Sequence, residues 1–290
     1  MSTGTFCISI DVELAWGIWD RPSADYFARC ADREQRIIDA ILALFSTHDI
    51  RATWAIVGRL LERTPAPPAS SAFGDEIWFA PGVVDAIRVA SPVQDIGSHS
   101  FGHIYFGDAT RDQVDRDLEA ARRVHANHRL GFSSFVFPRN QVAHLDALAA
   151  AGIKVFRSED LGWHVSLRRL GKRIGQLANL GDKIAPIPPA TVTPLVHSNG
   201  LVELPSSMLL MGRSGMRRLV RPEAMVWKAR LGLRSAARTG RCFHLWFHPS
   251  NFYHETEVQL EVLEQIVGAA ARMRDREQLE IRTMNDFATA

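Results

Sequence analysis

The chain has 290 residues, of which 46% are hydrophobic and 23% are charged, and its formal net charge at pH 7 is +2. These proportions are typical of a soluble globular protein with a large core, and the length suits a single α/β barrel. The balanced charge gives no reason to expect a nucleic-acid partner, and the three scattered cysteines exclude a disulfide framework.

The N-terminus shows no basic segment followed by an apolar one, and no apolar run is long enough to cross a bilayer. We therefore expect a cytoplasmic protein. The sequence leaves the oligomeric state open.

Strand-length apolar segments alternate with helical patterns along the first half of the chain. In order, the patterns predict a strand at 5–10, a helix at 33–47, a strand at 51–57, a short helix at 83–89, a strand edge at 94–96, a helix opening at the Thr110 capping box, a strand at 132–137, a helix at 144–151 and a strand at 153–156. This alternation favours parallel strands joined by crossover helices. Because acids and histidines recur just after strands, we expect a distorted (β/α) barrel of about seven or eight strands.

The alternation breaks at about residues 165–240, which are rich in arginine and also hold a predicted strand at 201–205. We interpret this stretch as a basic insertion on one barrel domain that spans residues 1–290. The barrel then resumes with a strand at 242–247, a helix at 255–274 and a strand at 279–282. The insertion is predicted to lie beside the site mouth and to receive an anionic part of the substrate or an anionic membrane surface. The alternative is that its apolar residues pack on the barrel and its arginines are solvated.

The most informative pair of residues is His99 and His103. A Gly-Ser lead-in predicts a loop at a strand end that runs into a helical turn, on which two imidazoles four residues apart face the same way. They could share one divalent ion, or they could be ordinary surface or capping histidines. Asp11 and Glu13 after the first strand and His248 after a late one favour a metal-dependent hydrolase.

Five motifs in order resemble the polysaccharide deacetylase family, the NodB-homology carbohydrate esterases. They are residues 9–13 (SIDVE), 52–58 (ATWAIVG), 98–103 (SHSFGH), 135–140 (FVFPRN) and 245–248 (LWFH). The resemblance covers nearly the whole chain apart from the basic insertion. It implies a NodB-type barrel and an N-deacetylase that uses one divalent metal ion, zinc by default.

The resemblance also implies roles for individual residues. Asp11 would be the general base, His248 the general acid, and Glu13, His99 and His103 the metal ligands. The family usually has two adjacent aspartates, whereas here Val12 separates Asp11 from Glu13. In the alternative assignment, Asp11 and the two histidines hold the ion and Glu13 is a loop carboxylate.

Four further residues are candidates for the site. Arg139 follows Pro138, whereas the family's arginine comes earlier in this motif, and it could orient the Asp11 carboxylate or lie free on the surface. Asp160 could orient His248 or be a solvated loop acid. Trp16 and Trp163 follow predicted strand ends, where they could stack on a sugar ring or simply pack.

The leading hypothesis is a hydrolase that removes an N-acyl group, most simply acetyl, from an amino sugar or glycan intermediate. Without an export signal, the substrate is expected to be intracellular, either nucleotide-linked, lipid-linked or small and soluble. Alternatives are a deformylase or a cyclic imidase on the same scaffold, or a catalytically inactive carbohydrate-binding relative. The presence of Asp11, His99, His103 and His248 together argues against the inactive relative.

Overall fold

The computed structural model of the protein describes residues 3–63, 74–160 and 187–288. Within these ranges, one sheet of ten strands and six α-helices form the fold. The strands are β1 (Gly4–Val12), β2 (Thr53–Ile56), β3 (Asp95–Ser98), β4 (Ser134–Val136), β5 (Val155–Ser158), β6 (Leu195–Val196), β7 (Val202–Pro205), β8 (Met208–Leu209), β9 (Cys242–Phe247) and β10 (Leu279–Arg282). The helices are α1 (Ala24–His48), α2 (Pro81–Arg88), α3 (Arg111–Asn127), α4 (Leu145–Ala151), α5 (Pro222–Thr239) and α6 (Thr256–Arg274).

Strand β1 lies at the centre of the sheet, and all nine of its residues are buried. It pairs in parallel with β9 on one side. On the other side it pairs in parallel with β10 along its first half and with β2 along its second half. A continuous apolar run such as that of β1 is typical of a parallel strand covered on both faces. Its carboxyl end therefore emerges in the middle of the sheet edge, next to the ends of β2 and β9.

The sheet curls because one bent segment bridges its two ends. β7 pairs with β5, and β8, three residues further along the chain, pairs with β9 at the other end of the sheet order. Between them, Ser206 donates its N–H to the carbonyl of Ser158, and Ser207 donates its N–H to the carbonyl of His244. The predicted distorted α/β barrel is confirmed.

Helices pack around the curled sheet with their apolar faces turned inward. The predicted capping box at Thr110 is present, and it begins α3. Helix α1 begins nine residues before the predicted position, since the hydroxyl of Ser23 accepts the N–H of Tyr26 and caps it. No helix in the described ranges is both long and apolar enough to cross a membrane.

The basic segment at 165–240 lies partly outside the described residues, up to residue 186. Its described part supplies β6, β7, β8 and helix α5, which packs against α6 and β1. The predicted strand at 201–205 is present as β7, whereas the sequence patterns did not predict α5. The division of the chain into one domain with an insertion stays a prediction.

Candidate active site

The two histidines of the third motif lie in a loop at the carboxyl end of β3. The predicted helical turn is wrong, because residues 99–103 are not helical and both Ser100 (φ 65°) and His103 (φ 53°) have left-handed backbone conformations. The loop nevertheless turns His99 and His103 toward each other, with ring centroids 5.1 Å apart. The spacing of four residues therefore brings the imidazoles together without a helix.

Backbone hydrogen bonds hold this histidine loop against its neighbours. The carboxylate of Asp117, on α3, accepts the N–H groups of Phe101 and Gly102, both at 2.8 Å. The carbonyl of Ser100 accepts the N–H of Gly58, which follows β2. Since these contacts come from two different elements, the loop is fixed relative to the sheet on both sides.

Glu13 lies directly against the two imidazoles. Its Oε2 is 3.0 Å from Nε2 of His103 and 3.5 Å from Nε2 of His99. Ligands that share one tetrahedral ion at bonds of about 2.1 Å lie roughly 3.4 Å apart, so these separations suit a common ion. Nδ1 of His99 lies 2.8 Å from the carbonyl oxygen of Val136, which can only accept a hydrogen bond, so Nδ1 is the nitrogen that carries the N–H. That contact leaves Nε2 of His99 with its lone pair toward Glu13.

The electrostatics of the cluster suit metal ligands. Burial alone would raise the pKa of Glu13, but the imidazoles of His248, His103 and His99 outweigh it and hold that pKa well below its usual range. Burial lowers the pKa of His103, although Glu13 partly opposes this. A carboxylate and a neutral imidazole are the forms that bind divalent ions, so this donor set fits a metal. Asp11 lies outside the donor cluster, which consists of Glu13, His99 and His103.

Asp11, on β1, is paired with an arginine that was not among the candidates. Arg157, on β5 and fully buried, donates two hydrogen bonds to the Asp11 carboxylate, at 2.7 and 2.6 Å. Burial alone would raise the pKa of Asp11, but Arg157 and then the histidines lower it overall. The predicted pairing of Asp11 with Arg139 is wrong, because Arg139 donates instead to the carbonyl of Gly17 and to Asp20.

A network of buried contacts fixes Arg157 in turn. It donates to the hydroxyl of Ser9 at 2.9 Å, and that hydroxyl lies 2.9 Å from Nε2 of His244. The guanidinium also lies over the ring of Trp246, 4.3 Å from its centroid. His244 is fully buried, and burial lowers its pKa to about 3. The sequence signal for this network was an arginine directly after the predicted strand at 153–156.

His248 lies at the end of β9 on the open side of the cluster. Its Nε2 is 3.6 Å from Oδ2 of Asp11 and 3.6 Å from Oε1 of Glu13, and its side chain is 23% exposed. A cavity of about 360 Å³ opens in front of it. The cavity is lined by Asp11, Glu13, Gly17, Ile18, Tyr26, His99, Arg139, Asn140, Trp246, His248, Ser250 and Asn251. Arg139 therefore faces the predicted site even though it does not pair with Asp11.

Trp16, one of the two tryptophans predicted to stack on a sugar, does not line this cavity. Trp16 is 1% exposed, packs edge-on against Trp78 and donates its indole N–H to the Trp78 carbonyl at 2.9 Å. Its prediction as a substrate-binding residue is therefore wrong, because a buried ring cannot reach a sugar. Trp163 lies outside the described residues. Trp246, inside the last motif, is the tryptophan that does line the cavity.

Asp160 does not contact His248 directly. Its carboxylate accepts the indole N–H of Trp246 at 3.2 Å and the hydroxyl of Ser206. Trp246 in turn meets His248 edge-on, with ring centroids 5.6 Å apart. The predicted direct orientation of His248 by Asp160 is thus wrong, and the carboxylate reaches the imidazole only through Trp246.

Comparisons with known proteins agree with this architecture. Residues 27–152 match the family model of polysaccharide deacetylases, a range that includes the histidine loop. The fold resembles that of a Mycobacterium smegmatis protein named as a polysaccharide deacetylase, with TM-score 0.69, 14% identity, and coverage of 99% of this chain and 90% of that one. Among curated proteins, none matches the sequence.

Two further solved structures share the fold. A Pseudomonas aeruginosa PAO1 protein named as a polysaccharide deacetylase has TM-score 0.66 and 9% identity, with coverage of 98% of this chain and 89% of that one. The PuuE allantoinase has TM-score 0.65 and 11% identity, with coverage of 98% and 89% respectively. The match to the family model confirms, over residues 27–152, the resemblance predicted from the motifs.

Proposed function

We propose that this polysaccharide deacetylase-family chain is a metal-dependent hydrolase that removes an N-acyl group, most simply acetyl, from an amino sugar or glycan intermediate. The observation that carries the proposal is the meeting of Glu13, His99 and His103 in one cluster. That cluster opens, beside Asp11 and His248, into a single cavity. An N-acyl hydrolase needs an activated water, a polarised carbonyl and a proton for the leaving amine, and these five side chains can supply all three.

Glu13, His99 and His103 would hold one divalent ion. When bound, the ion polarises the acyl carbonyl and lowers the pKa of water. Imidazole and carboxylate donors suit zinc, and they also suit cobalt, nickel or manganese. The alternative in which Asp11 is the third ligand is less favourable, since both Asp11 oxygens are already bonded to Arg157.

Asp11 would act as the general base. The Arg157 pair keeps it ionised and fixes the direction in which its carboxylate faces the cavity. It takes one proton from the attacking water as the new C–O bond forms. Because Arg157 is held by Ser9 and Trp246, the carboxylate needs little rearrangement before it accepts the proton.

His248 would act as the general acid. It is the most exposed of the site imidazoles and lies across the cavity from the histidine loop. Its ring gives a proton to the amine nitrogen as the C–N bond breaks, so that a neutral amine and a carboxylic acid form, and the acid then loses its own proton to solvent. Trp246 packs against the His248 ring and limits its rotation.

The substrate is expected to be a nucleotide-linked, lipid-linked or small soluble amino sugar in the cytoplasm. The half-buried face of Trp246 is the aromatic surface on which such a sugar ring would stack. Arg139, on the opposite lining, could bind a hydroxyl or a phosphate oxygen. The cavity has a volume of about 360 Å³, which is room for roughly one or two sugar units in front of Glu13, His99 and His103.

A cyclic amide is the second candidate substrate, because a neighbour in fold is named as an allantoinase. The same five side chains could open a ring C–N bond, in which case no small acid is released. A deformylase would release formate in place of acetate. These reactions differ in product and can be separated in one experiment.

The test is a screen of the purified, zinc-loaded protein for acetate release, formate release and ring opening over N-acetylated amino sugars, N-formylated amino sugars and cyclic amides. Acetate release that falls about 10²–10⁴-fold in Asp11→Asn and His248→Ala variants supports the proposal. Ring opening that depends on Asp11 and His248 in the same way would replace the proposed deacetylation by cyclic-amide hydrolysis. Formate release with that dependence would replace it by deformylation. Near-normal turnover by His248→Ala refutes the assigned acid.

A further inference from the structure

Residues 214–221, which we call the basic cap, form a short exposed turn between β8 and α5. Met216 and Leu219 are 74% and 73% exposed, which is unusual for large apolar side chains. Between and after them come Arg217, Arg218 and Arg221, all exposed, and the cap contains no acidic residue. The cap therefore presents apolar tips and positive charge together to the solvent.

The cap is held rigidly in this arrangement. Arg213, which is only 8% exposed, donates to the carbonyl of Val220 at 2.7 Å and to that of Arg218 at 3.4 Å. Its Nε also donates to Glu255 at 2.6 Å, which ties the cap to the start of α6. Because these hydrogen bonds fix the backbone of the turn, Met216 is exposed by the path of the chain and not by local fraying.

The cap begins two residues after a contact with the lining of the site cavity. A Cβ on Gly212 would come within 2.8 Å of the carbonyl oxygen of Asn251, so the two segments are in close contact. Asn251 and Ser250 line the cavity and directly follow His248. The segment that leads into the cap therefore packs against the cavity lining.

We propose that the basic cap docks on an anionic lipid bilayer surface, with Met216 and Leu219 inserted among the headgroups and the arginines paired with lipid phosphates. Neither Arg217 nor Arg221 makes an ion pair with any residue in the described ranges. Apolar tips flanked by unpaired arginines are typical of interfacial contacts with negatively charged membranes.

A second copy of this chain is a less suitable occupant. A two-fold contact centred on the cap would bring the arginines of one copy against those of the other, and such like-charge contacts are costly. A bilayer surface supplies the opposite charge and an apolar layer together. The proposal concerns binding alone and does not depend on the reaction in the cavity.

The test is co-sedimentation of the full-length protein with vesicles of phosphatidylcholine containing 30% phosphatidylglycerol, beside vesicles of phosphatidylcholine alone. We expect binding to the anionic vesicles that weakens with added salt, and little binding to the neutral ones. Arg217→Ala with Arg221→Ala should lower the partition coefficient about 30-fold. Met216→Ser with Leu219→Ser should lower it roughly tenfold.

Matched controls are available elsewhere on the surface. Arg116→Ala with Arg276→Ala removes the same charge from exposed positions, and Val89→Ser with Val93→Ser removes apolar groups of similar exposure. Both pairs should leave vesicle binding unchanged. Absence of binding to anionic vesicles, or equal losses in cap and control variants, overturns the proposal. A concentration-dependent dimer that Met216→Ser with Leu219→Ser abolishes, without vesicle binding, overturns it in favour of self-association.

Discussion

Asp11 and Arg157 form a fully buried, doubly hydrogen-bonded ion pair at the edge of the cavity. Taking both charges out of water is costly, and their contact offsets that cost only while both are present. Removal of one partner leaves an uncompensated buried charge. The pair is therefore a position at which stability and catalysis depend on the same contact.

Arg157→Met should lower the free energy of unfolding by about 3–5 kcal/mol, because the buried Asp11 carboxylate loses the cation that accompanies it. Urea denaturation at pH 7 measures the change. Arg139→Met is the matched control, since Arg139 is 37% exposed and its ion pair with Asp20 is 3.4 Å long. The control should lose less than about 1 kcal/mol. Similar losses in the two variants would contradict the role given to Arg157.

For single residues, the sequence predicted the cluster of Glu13, His99 and His103 better than the residues that support it. Spacing was enough to place His99 beside His103, and the resemblance to the family motifs added Glu13, with Asp11 as the alternative. The partner of Asp11 could not be predicted, because it depends on how β1 and β5 face each other across the curled sheet. Trp16 was misassigned since a strand-end tryptophan looks the same in sequence whether its ring faces a cavity or the core.

Helix α1 carries a buried acid that links stability to pH. Burial raises the pKa of Glu34 to about 7, although a hydrogen bond from the Tyr253 hydroxyl partly opposes this. The folded protein therefore keeps a proton that the unfolded chain, with its ordinary glutamate pKa, releases at lower pH. This contribution to stability is fully present below about pH 4.5 and is lost as pH rises to about 7.

Glu34→Gln should remove that loss, because an amide can still accept the Tyr253 hydroxyl and carries no charge to bury. Between pH 5 and pH 8 the variant should lose roughly 2–3 kcal/mol less unfolding free energy than the parent. Urea denaturation at the two pH values measures it. Glu264→Gln, at an exposed position of α6, should not alter the pH dependence. Parallel pH profiles for Glu34→Gln and its parent would contradict the buried acid.

The histidine loop depends on α3 for its shape. Asp117→Asn replaces a carboxylate that accepts two loop N–H groups by an amide that can accept at one atom only. We expect zinc affinity to fall about 10–100-fold, as it does when outer hydrogen-bond partners of a metal site are lost. Zinc titration by calorimetry measures it. Asp112→Asn, at an exposed position of the same helix, is the control. An unchanged zinc affinity in Asp117→Asn would show that the histidine loop keeps its shape without Asp117.

Most elements could be predicted from sequence because their signals are local. The strand at 242–247 matches β9 residue for residue, and the Thr110 capping box begins α3 as expected. The two-residue strand β8 was not predicted, since its pairing is set by the bend at Ser206 and not by any pattern of its own. Helix α5 was missed because frequent arginines obscured its apolar face.

The whole molecule brings together five motifs that are far apart in the chain. Each lies at the carboxyl end of a parallel strand, and parallel strands in a curled sheet end at one rim. That rule was sufficient to predict a common site. It could not predict which acid faces the histidines, because Asp11 lies near the end of β1, Glu13 directly follows it, and their orientations depend on the turn after Val12.

The most direct test of this account is the metal content of two variants, measured by mass spectrometry after purification with zinc. Glu13→Gln should lose stoichiometric metal, because Glu13 is the carboxylate within 3.0 and 3.5 Å of the two imidazoles. Asp11→Asn should keep one ion per chain while losing turnover. Full occupancy in Glu13→Gln together with loss of metal in Asp11→Asn would reverse the two acids and contradict the account.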